Sequence, residues 1–216
     1  MCARYSLTKE GLVIQIGEIE IVITFGARYN IAPAQKAPVI VPKHKGYEVV
    51  EMLWGWKPVW SKTLLINGQA ESVLEKPNFR KHIANRCLIP ADGFYEWTPD
   101  KQPIRFTERN GEPFCFAGLY LETTTQPHDV PVTEQKFIIL TTTPNKTVGR
   151  VHNRMPLIVQ KNHYSWWLQD GEMFESVLNF PDRTELNWLP VQRALNTVGN
   201  EGAELIRPAP IQKDLF

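Results

Sequence analysis

The chain has little of what assigns a protein to the larger functional classes. Cysteine is scarce: Cys2, Cys87 and Cys115 are the only three in 216 residues. An odd, sparse set with no C-x-x-C spacing excludes a disulfide framework and a thiolate zinc site. Histidine offers no metal site either. His44, His82, His128 and His163 stand without a partner at metal-ligand spacing, so no metal and no other cofactor is expected. No run of about 18 apolar residues is present, which excludes a membrane-spanning helix. The N-terminus lacks a basic segment followed by an apolar core, so it does not read as a secretory leader, and a cytoplasmic protein is expected. Charge of one sign is also missing. A net charge of +1 excludes a protein that coats nucleic acid by bulk charge, although not one with a local basic face. Repeats, low-complexity tracts and linker-like stretches are absent, so 1–216 reads as one domain.

What is present suffices for a packed core: 43% of residues are hydrophobic and 11% aromatic. Residues 12–25 hold two apolar runs split at Gly17-Glu18, which predict a hairpin. Pro33, Pro38 and Pro42 punctuate an extended segment, and Tyr47 to Leu53 alternates as a strand. That strand runs into Trp54-Gly55-Trp56-Lys57-Pro58-Val59-Trp60, expected to be a rigid aromatic loop. Residues 71–85 carry helical spacing through Val73, Leu74, Phe79 and Ile83, with Pro77 as the expected interruption. Short strands are expected at 86–90, 93–97, 103–107, 114–121, 136–142 and 186–191, with Val151 to Gln160 part loop and part strand. A helix at 163–169 capped by Asn162 and a second one after Gly171 complete the pattern. Many short strands and few helices predict an α+β fold around a curved, mostly antiparallel sheet. Cys87 and Cys115 fall in apolar, strand-like runs and are expected in the core.

Few residues carry chemistry. If Met1 is removed, Cys2 becomes the N-terminus, with its α-amine and thiol two carbons apart. Such a 1,2-aminothiol condenses with an aldehyde to a Schiff base, and the thiol then closes a thiazolidine intramolecularly. The amine, with an ordinary pKa of ~7.7–8.0, is partly neutral at pH 7. Cys2 is otherwise an incidental N-terminal residue. Glu96 alternates with aromatics in Asp92-Gly93-Phe94-Tyr95-Glu96-Trp97, so it is either solvent-facing or a carboxylate held in an apolar rim with a raised pKa. His152, in Val151-His152-Asn153-Arg154-Met155-Pro156, is either a proton donor and acceptor or a hydrogen-bonded loop residue. Asn67 is either turn chemistry or a hydrogen-bonding group for a developing hydroxyl. Pro33, Trp54 and Phe94 are either core residues or stacking surfaces for bases. Lys76 to Arg86 holds four cations and no anion, either a solvated helix face or a DNA-facing one.

Taken together, several ordered stretches resemble one family. They are Met1-Cys2-Ala3-Arg4-Tyr5, Arg28-Tyr29-Asn30-Ile31-Ala32-Pro33, the aromatic run from Trp54 to Trp60, Ile66-Asn67 with Ala70-Glu71-Ser72, and Glu75-Lys76-Pro77-Asn78-Phe79-Arg80. Arg86 to Trp97, Phe116-Ala117-Gly118-Leu119 and His152-Asn153-Arg154-Met155-Pro156 follow in order. The chain resembles the SOS-response-associated peptidase (SRAP) family, the abasic-site processing proteins, from residue 1 to Ile206.

The resemblance implies a barrel-like sheet flanked by a few helices. It implies that Met1 is lost and that Cys2 crosslinks, through a thiazolidine, to the ring-opened aldehyde of an abasic site in single-stranded DNA, shielding the lesion in the DNA damage response. Glu96, His152 and Asn67 match the family's catalytic carboxylate, histidine and asparagine. Arg4, Arg80 and Arg154 match cations near DNA phosphates, and Pro33 and Trp54 match surfaces that stack on bases. Gln69 stands where the family carries an arginine, Ala3 where it carries glycine, and Asn153 where it carries aspartate. The loss of one phosphate contact lowers the log–log salt slope by about 0.7 on single strands. In the implied mechanism the Cys2 amine attacks C1′ and His152 assists ring opening. Glu96 shuttles protons, Asn67 fixes the amine or a sugar hydroxyl, and β-elimination from the Schiff base gives a lyase side reaction. The implied protein is a monomer, associated with the nucleoid when bound to DNA, with replication-fork proteins as further candidate partners. Two readings compete with this one, the first on the same residues and the second with Cys2 incidental. One is a peptide hydrolase with Cys2 as N-terminal nucleophile, a role the family name records and which includes release of Met1. The other is a non-catalytic single-strand-binding module.

Overall fold

Apolar residues build much of this chain into strands, and the pairing of the longest of those strands closes on itself. The structure, a computed structural model, describes residues 2–59, 61–125, 132–169, 173–179 and 185–209. Its strands in chain order are β1 (Tyr5–Leu7), β2 (Leu12–Ile16), β3 (Ile19–Ile23), β4 (Arg28–Ile31), β5 (Lys36–Lys43), β6 (Gly46–Trp54), β7 (Asn67–Gln69) and β8 (Arg86–Ala91). They continue with β9 (Gly93–Trp97), β10 (Pro103–Glu108), β11 (Phe114–Thr125), β12 (Val132–Thr142), β13 (Met155–Pro156), β14 (Ile158–Val159) and β15 (Leu186–Pro190). Three short α-helices, α1 (Pro77–Arg80), α2 (Tyr164–Leu168) and α3 (Met173–Asn179), and several 3₁₀ turns complete the described elements.

β12 pairs parallel with β6, and the ring continues through β5, β8 and β11 back to β12, all antiparallel. Closure removes the free edges that an open five-stranded sheet would expose. β11 makes this possible by its length: its first half pairs with β8 and its second half with β12. Where both pairings overlap, a Cβ on Gly118 would lie 2.8 Å from the Ile138 carbonyl, so the close approach calls for glycine. β7 extends the β6 edge of the barrel along β12, and β13 extends the opposite edge. Thr141 is opposite Gln69 on one side and Pro156 on the other.

A second sheet, ordered β15-β10-β9-β1-β4, lies against the barrel. Tyr5 joins the two, meeting Trp54 and Phe116 edge-on with ring centroids at 5.3 and 5.7 Å. The chain passes from barrel to second sheet at Asp92, between β8 and β9. Its carboxylate takes hydrogen bonds from the Ser6 hydroxyl, the Thr8 amide and hydroxyl, and Arg105 at 3.0 Å. Residues 12–23 form the expected hairpin, β2–β3, with Gly17 at φ 60° in its two-residue turn.

The α+β class and most strand positions agree with the pattern in the sequence. Some local expectations do not. Pro77 starts α1 rather than interrupting a helix, because the first helical position needs no N–H. Asn162 lies inside a 3₁₀ turn, and α2 begins after His163. Trp54 ends β6 instead of opening a loop, and Trp60 and Gly171 lie outside the described residues. Arg86, counted with the basic stretch, is buried. It donates to the carbonyls of Trp167 (2.7 Å) and Gln169, which the end of α2 leaves unpaired.

Candidate active site

β9 lies between β1 and β10, and four of its five residues are buried. Strand alternation sends Phe94 and Glu96 to the same face. Phe94 stacks on Phe106 and meets Phe116, so that face is the one toward the barrel. Tyr95 takes the opposite face with Val191, Leu195 and Leu205. Glu96 is therefore the apolar-rim carboxylate, 2% exposed. Burial pushes its pKa up to about 7, which suits a proton shuttle at neutral pH.

β1 delivers Cys2 to the same place. Tyr5 is opposite Phe94, and the Tyr95 amide donates to the Arg4 carbonyl at 3.1 Å, so the register continued by one step sets Ala3 beside Glu96. Cys2 is buried, with its thiol 3.6 Å from the Arg4 carbonyl. Burial, and then the nearby Glu96 charge, raise the thiol pKa well above its ordinary value. Asn67, at the start of β7, crosses from the barrel to the N-terminus. Its Nδ2 donates to the Cys2 carbonyl at 2.9 Å. That bond fixes the amide orientation and leaves Oδ1 buried with no hydrogen-bond partner among the described residues.

His152 approaches on the loop before β13, at the barrel end that also carries β7. Burial lowers its pKa, which favours the neutral ring. The Arg154 amide donates to His152 Nδ1 at 3.0 Å, and the Arg154 carbonyl lies 3.1 Å from the same nitrogen. The Arg154 side chain turns the other way. It forms a bidentate pair with Glu71 at 2.9 and 2.8 Å and also donates to the Thr141 carbonyl at 2.6 Å. That pairing holds the Glu71 carboxyl below the usual carboxylate range.

The proposed DNA-facing residues divide. Gln69 and Arg80 are exposed, and Pro33 is half-buried. Trp54 is fully buried, stacked on Phe137 and bonded through Nε1 to the Ile66 carbonyl at 3.0 Å, so its ring is not open to a base in this conformation. Phe94 is equally buried. Arg4 turns inward. Its guanidinium donates to Asn30 Oδ1 at 2.6 Å and to the carbonyls of Leu195 and Asn196, so a phosphate would have to displace these partners. Two polar residues carry roles the sequence did not reveal. Asn30 ties Arg4 to residues 195–200, and Glu71 holds Arg154. Nothing in their spacing marks them; only their place inside quoted motifs did. Among the described residues no group of three or more His, Cys, Asp and Glu is arranged to hold a metal ion, and no helix is long and apolar enough to cross a membrane.

This arrangement gathers the chain's second residue, a cysteine, with a buried carboxylate and an asparagine. The family model described as SOS response associated peptidase (SRAP) matches residues 1–198. The chain belongs to that family. It is similar to the abasic site processing protein YoqW of Bacillus subtilis (strain 168), with 33% identity over 95% of this chain and 99% of that one. It is also similar to the abasic site processing protein YedK of Escherichia coli (strain K12), with 27% identity over 96% and 100% of the two chains. A crystal structure of a protein from Bordetella bronchiseptica superposes at TM-score 0.71 and 20% identity, covering 88% of this chain and 100% of that one. At that identity the likeness shows the shared SRAP fold alone.

Proposed function

We propose that this SRAP protein, once Met1 is removed, captures abasic sites in single-stranded DNA by forming a thiazolidine between Cys2 and the open-chain sugar aldehyde. One observation carries the reading: Cys2 is pinned by Asn67 at its carbonyl and lies within electrostatic reach of Glu96, a buried carboxyl whose pKa is pushed up to about 7. The names of the bacterial relatives point to the same substrate.

The chemistry follows from these groups. While Met1 is attached, the Cys2 nitrogen is an amide and the thiol is held protonated by burial. Removal of Met1 frees an amine. The amine attacks C1′, one water leaves, and an imine remains. The S–H then adds across C=N, sulfur to carbon and proton to nitrogen, which closes the five-membered ring. Glu96 accepts the proton from the attacking amine and returns it to the departing oxygen. Its pKa near 7 makes both transfers accessible. The buried Asn67 Oδ1 provides an acceptor for the new amine N–H. If ring closure lags behind proton loss at C2′, the imine undergoes β-elimination and nicks the strand, which is the lyase side reaction. Exposed Arg80 and Gln69 are the residues assigned to the DNA backbone.

The test uses protein whose loss of Met1 is confirmed by intact mass, with a single-stranded oligonucleotide bearing an abasic site. A denaturant-resistant conjugate is expected. Cys2→Ala abolishes it and Glu96→Ala slows it by roughly 10²–10⁴-fold, the range of general acid–base catalysis. Conjugation by Cys2→Ala at the wild-type rate overturns the assignment.

A further inference from the structure

Nδ1 of His152 lies against both polar groups of a single residue, the Arg154 amide at 3.0 Å and the Arg154 carbonyl at 3.1 Å. Only one of them suits a given protonation state. The amide hydrogen has no alternative position, and an N–H left without an acceptor in this half-buried setting is costly. A carbonyl with two lone pairs tolerates under-use far better. In the neutral ring, Nδ1 therefore accepts from the Arg154 amide and the ring proton resides on Nε2. When the ring gains a proton, it appears on Nδ1, where the Arg154 carbonyl is already within reach to accept it after a small ring rotation. Nε2 carries hydrogen in both states.

We infer that His152 presents only a hydrogen-bond donor to the site, and that Glu71 is the positioning residue that keeps it so by holding Arg154. The inference deepens, and rests on, the crosslinking reading. Glu71 is well placed for the task. Its carboxylate binds both terminal nitrogens of Arg154, and it also accepts from the Thr143 amide (3.2 Å) and the Thr142 hydroxyl (3.4 Å). It follows β7, the strand that carries Asn67, by only two residues. One side chain thus fastens the Asn67 strand, the end of β12 and the His152 loop together. The Arg154 guanidinium also donates to the Thr141 carbonyl, which fixes the residue at a second point. In the proposed reaction, the Nε2–H donates to the sugar oxygen as the ring opens, and proton removal falls to Glu96.

The test reads the tautomer directly, by ¹H–¹⁵N correlation of histidine-labelled protein without DNA, and separately the rate of conjugation to an abasic single strand. Wild-type protein at pH 7.5 is expected to give the Nε2–H pattern for His152. Glu71→Ala is expected to give a mixture of tautomers and a conjugation rate lower by roughly tenfold or more, since small misplacements of a reacting group have such effects. If Glu71→Ala does not fold, Glu71→Gln, which keeps an acceptor oxygen without the charge, gives the same two readouts. A Nδ1–H pattern in the wild type overturns the inference. So does a Glu71 variant whose tautomer and rate both match wild type. The spectra need no DNA, so a failure of crosslinking itself leaves the tautomer result to be judged on its own.

Discussion

Glu96→Gln should make this protein more stable above neutral pH, and by an amount the structure sets. The Glu96 carboxyl is raised from its ordinary 4.5 to about 7 by burial beside Phe94 on the barrel face of β9. The folded chain therefore holds the proton more tightly than the unfolded chain does. Stability attributable to this group is full below about pH 4.5 and is lost as pH rises through about 7. At ~1.36 kcal/mol per pH unit the loss comes to about 3 kcal/mol by pH 8. Glutamine fills the same space without the ionisation. Urea unfolding of both proteins, in one confirmed N-terminal state, across pH 4 to 9 measures the effect. The advantage of Glu96→Gln should be small at pH 4, grow between pH 5 and 7, and level off near about 3 kcal/mol. A stability difference that does not change with pH refutes the assignment of a buried carboxylate titrating near neutrality. The same substitution should depress conjugation at every pH, so the most stable variant should be among the least active.

Trp54→Ala should cost about 3–5 kcal/mol in a denaturant melt, because the ring is fully buried against Tyr5 and Phe137. Weakened DNA binding with stability changed by less than about 0.5 kcal/mol would restore it as a base-stacking surface. Arg4→Ala should cost about 1–3 kcal/mol by stranding Asn30 Oδ1, while the Leu195 carbonyl keeps its bond from Asn30 Nδ2, and should leave the salt dependence of single-strand binding unchanged. Arg80→Ala should instead lower that log–log slope by about 0.7 with little effect on stability. A reversed pattern would exchange the roles of the two arginines.

The strands were readable because their signals are local. Alternation marks β2 and β3, and apolar runs bounded by turn residues mark β8, β9 and β10. Barrel closure was not readable from periodicity. It depends on one long strand, β11, pairing with two partners in different halves, a non-local fact on which composition is silent. Cys2, Glu96, Asn67 and His152 were nameable from motifs, but whether Glu96 faced water was undecidable on spacing. Only the position of β9 between two strands, with the barrel on one face, settles its burial. The inward placement of Trp54 and Arg4 is not legible in the sequence for a related reason. An aromatic or a cation beside functional motifs has the same sequence whether it meets DNA or the core. The partners that decide, Phe137 for Trp54 and Asn30 with Leu195 for Arg4, lie far along the chain. Glu71 escaped notice because its value lies in a bidentate contact 83 residues away.

The most direct test of the account is the mass of the conjugate. Matured protein is incubated with an abasic single strand, digested with nuclease and protease, and the N-terminal peptide is sequenced by mass spectrometry. The account predicts that the sugar remnant sits on Cys2, with a mass equal to peptide plus remnant less one water, and that it survives without reductant because the ring is closed. A remnant on a lysine, one trapped only by borohydride, or an unmodified Cys2 in protein that has lost Met1 would contradict it.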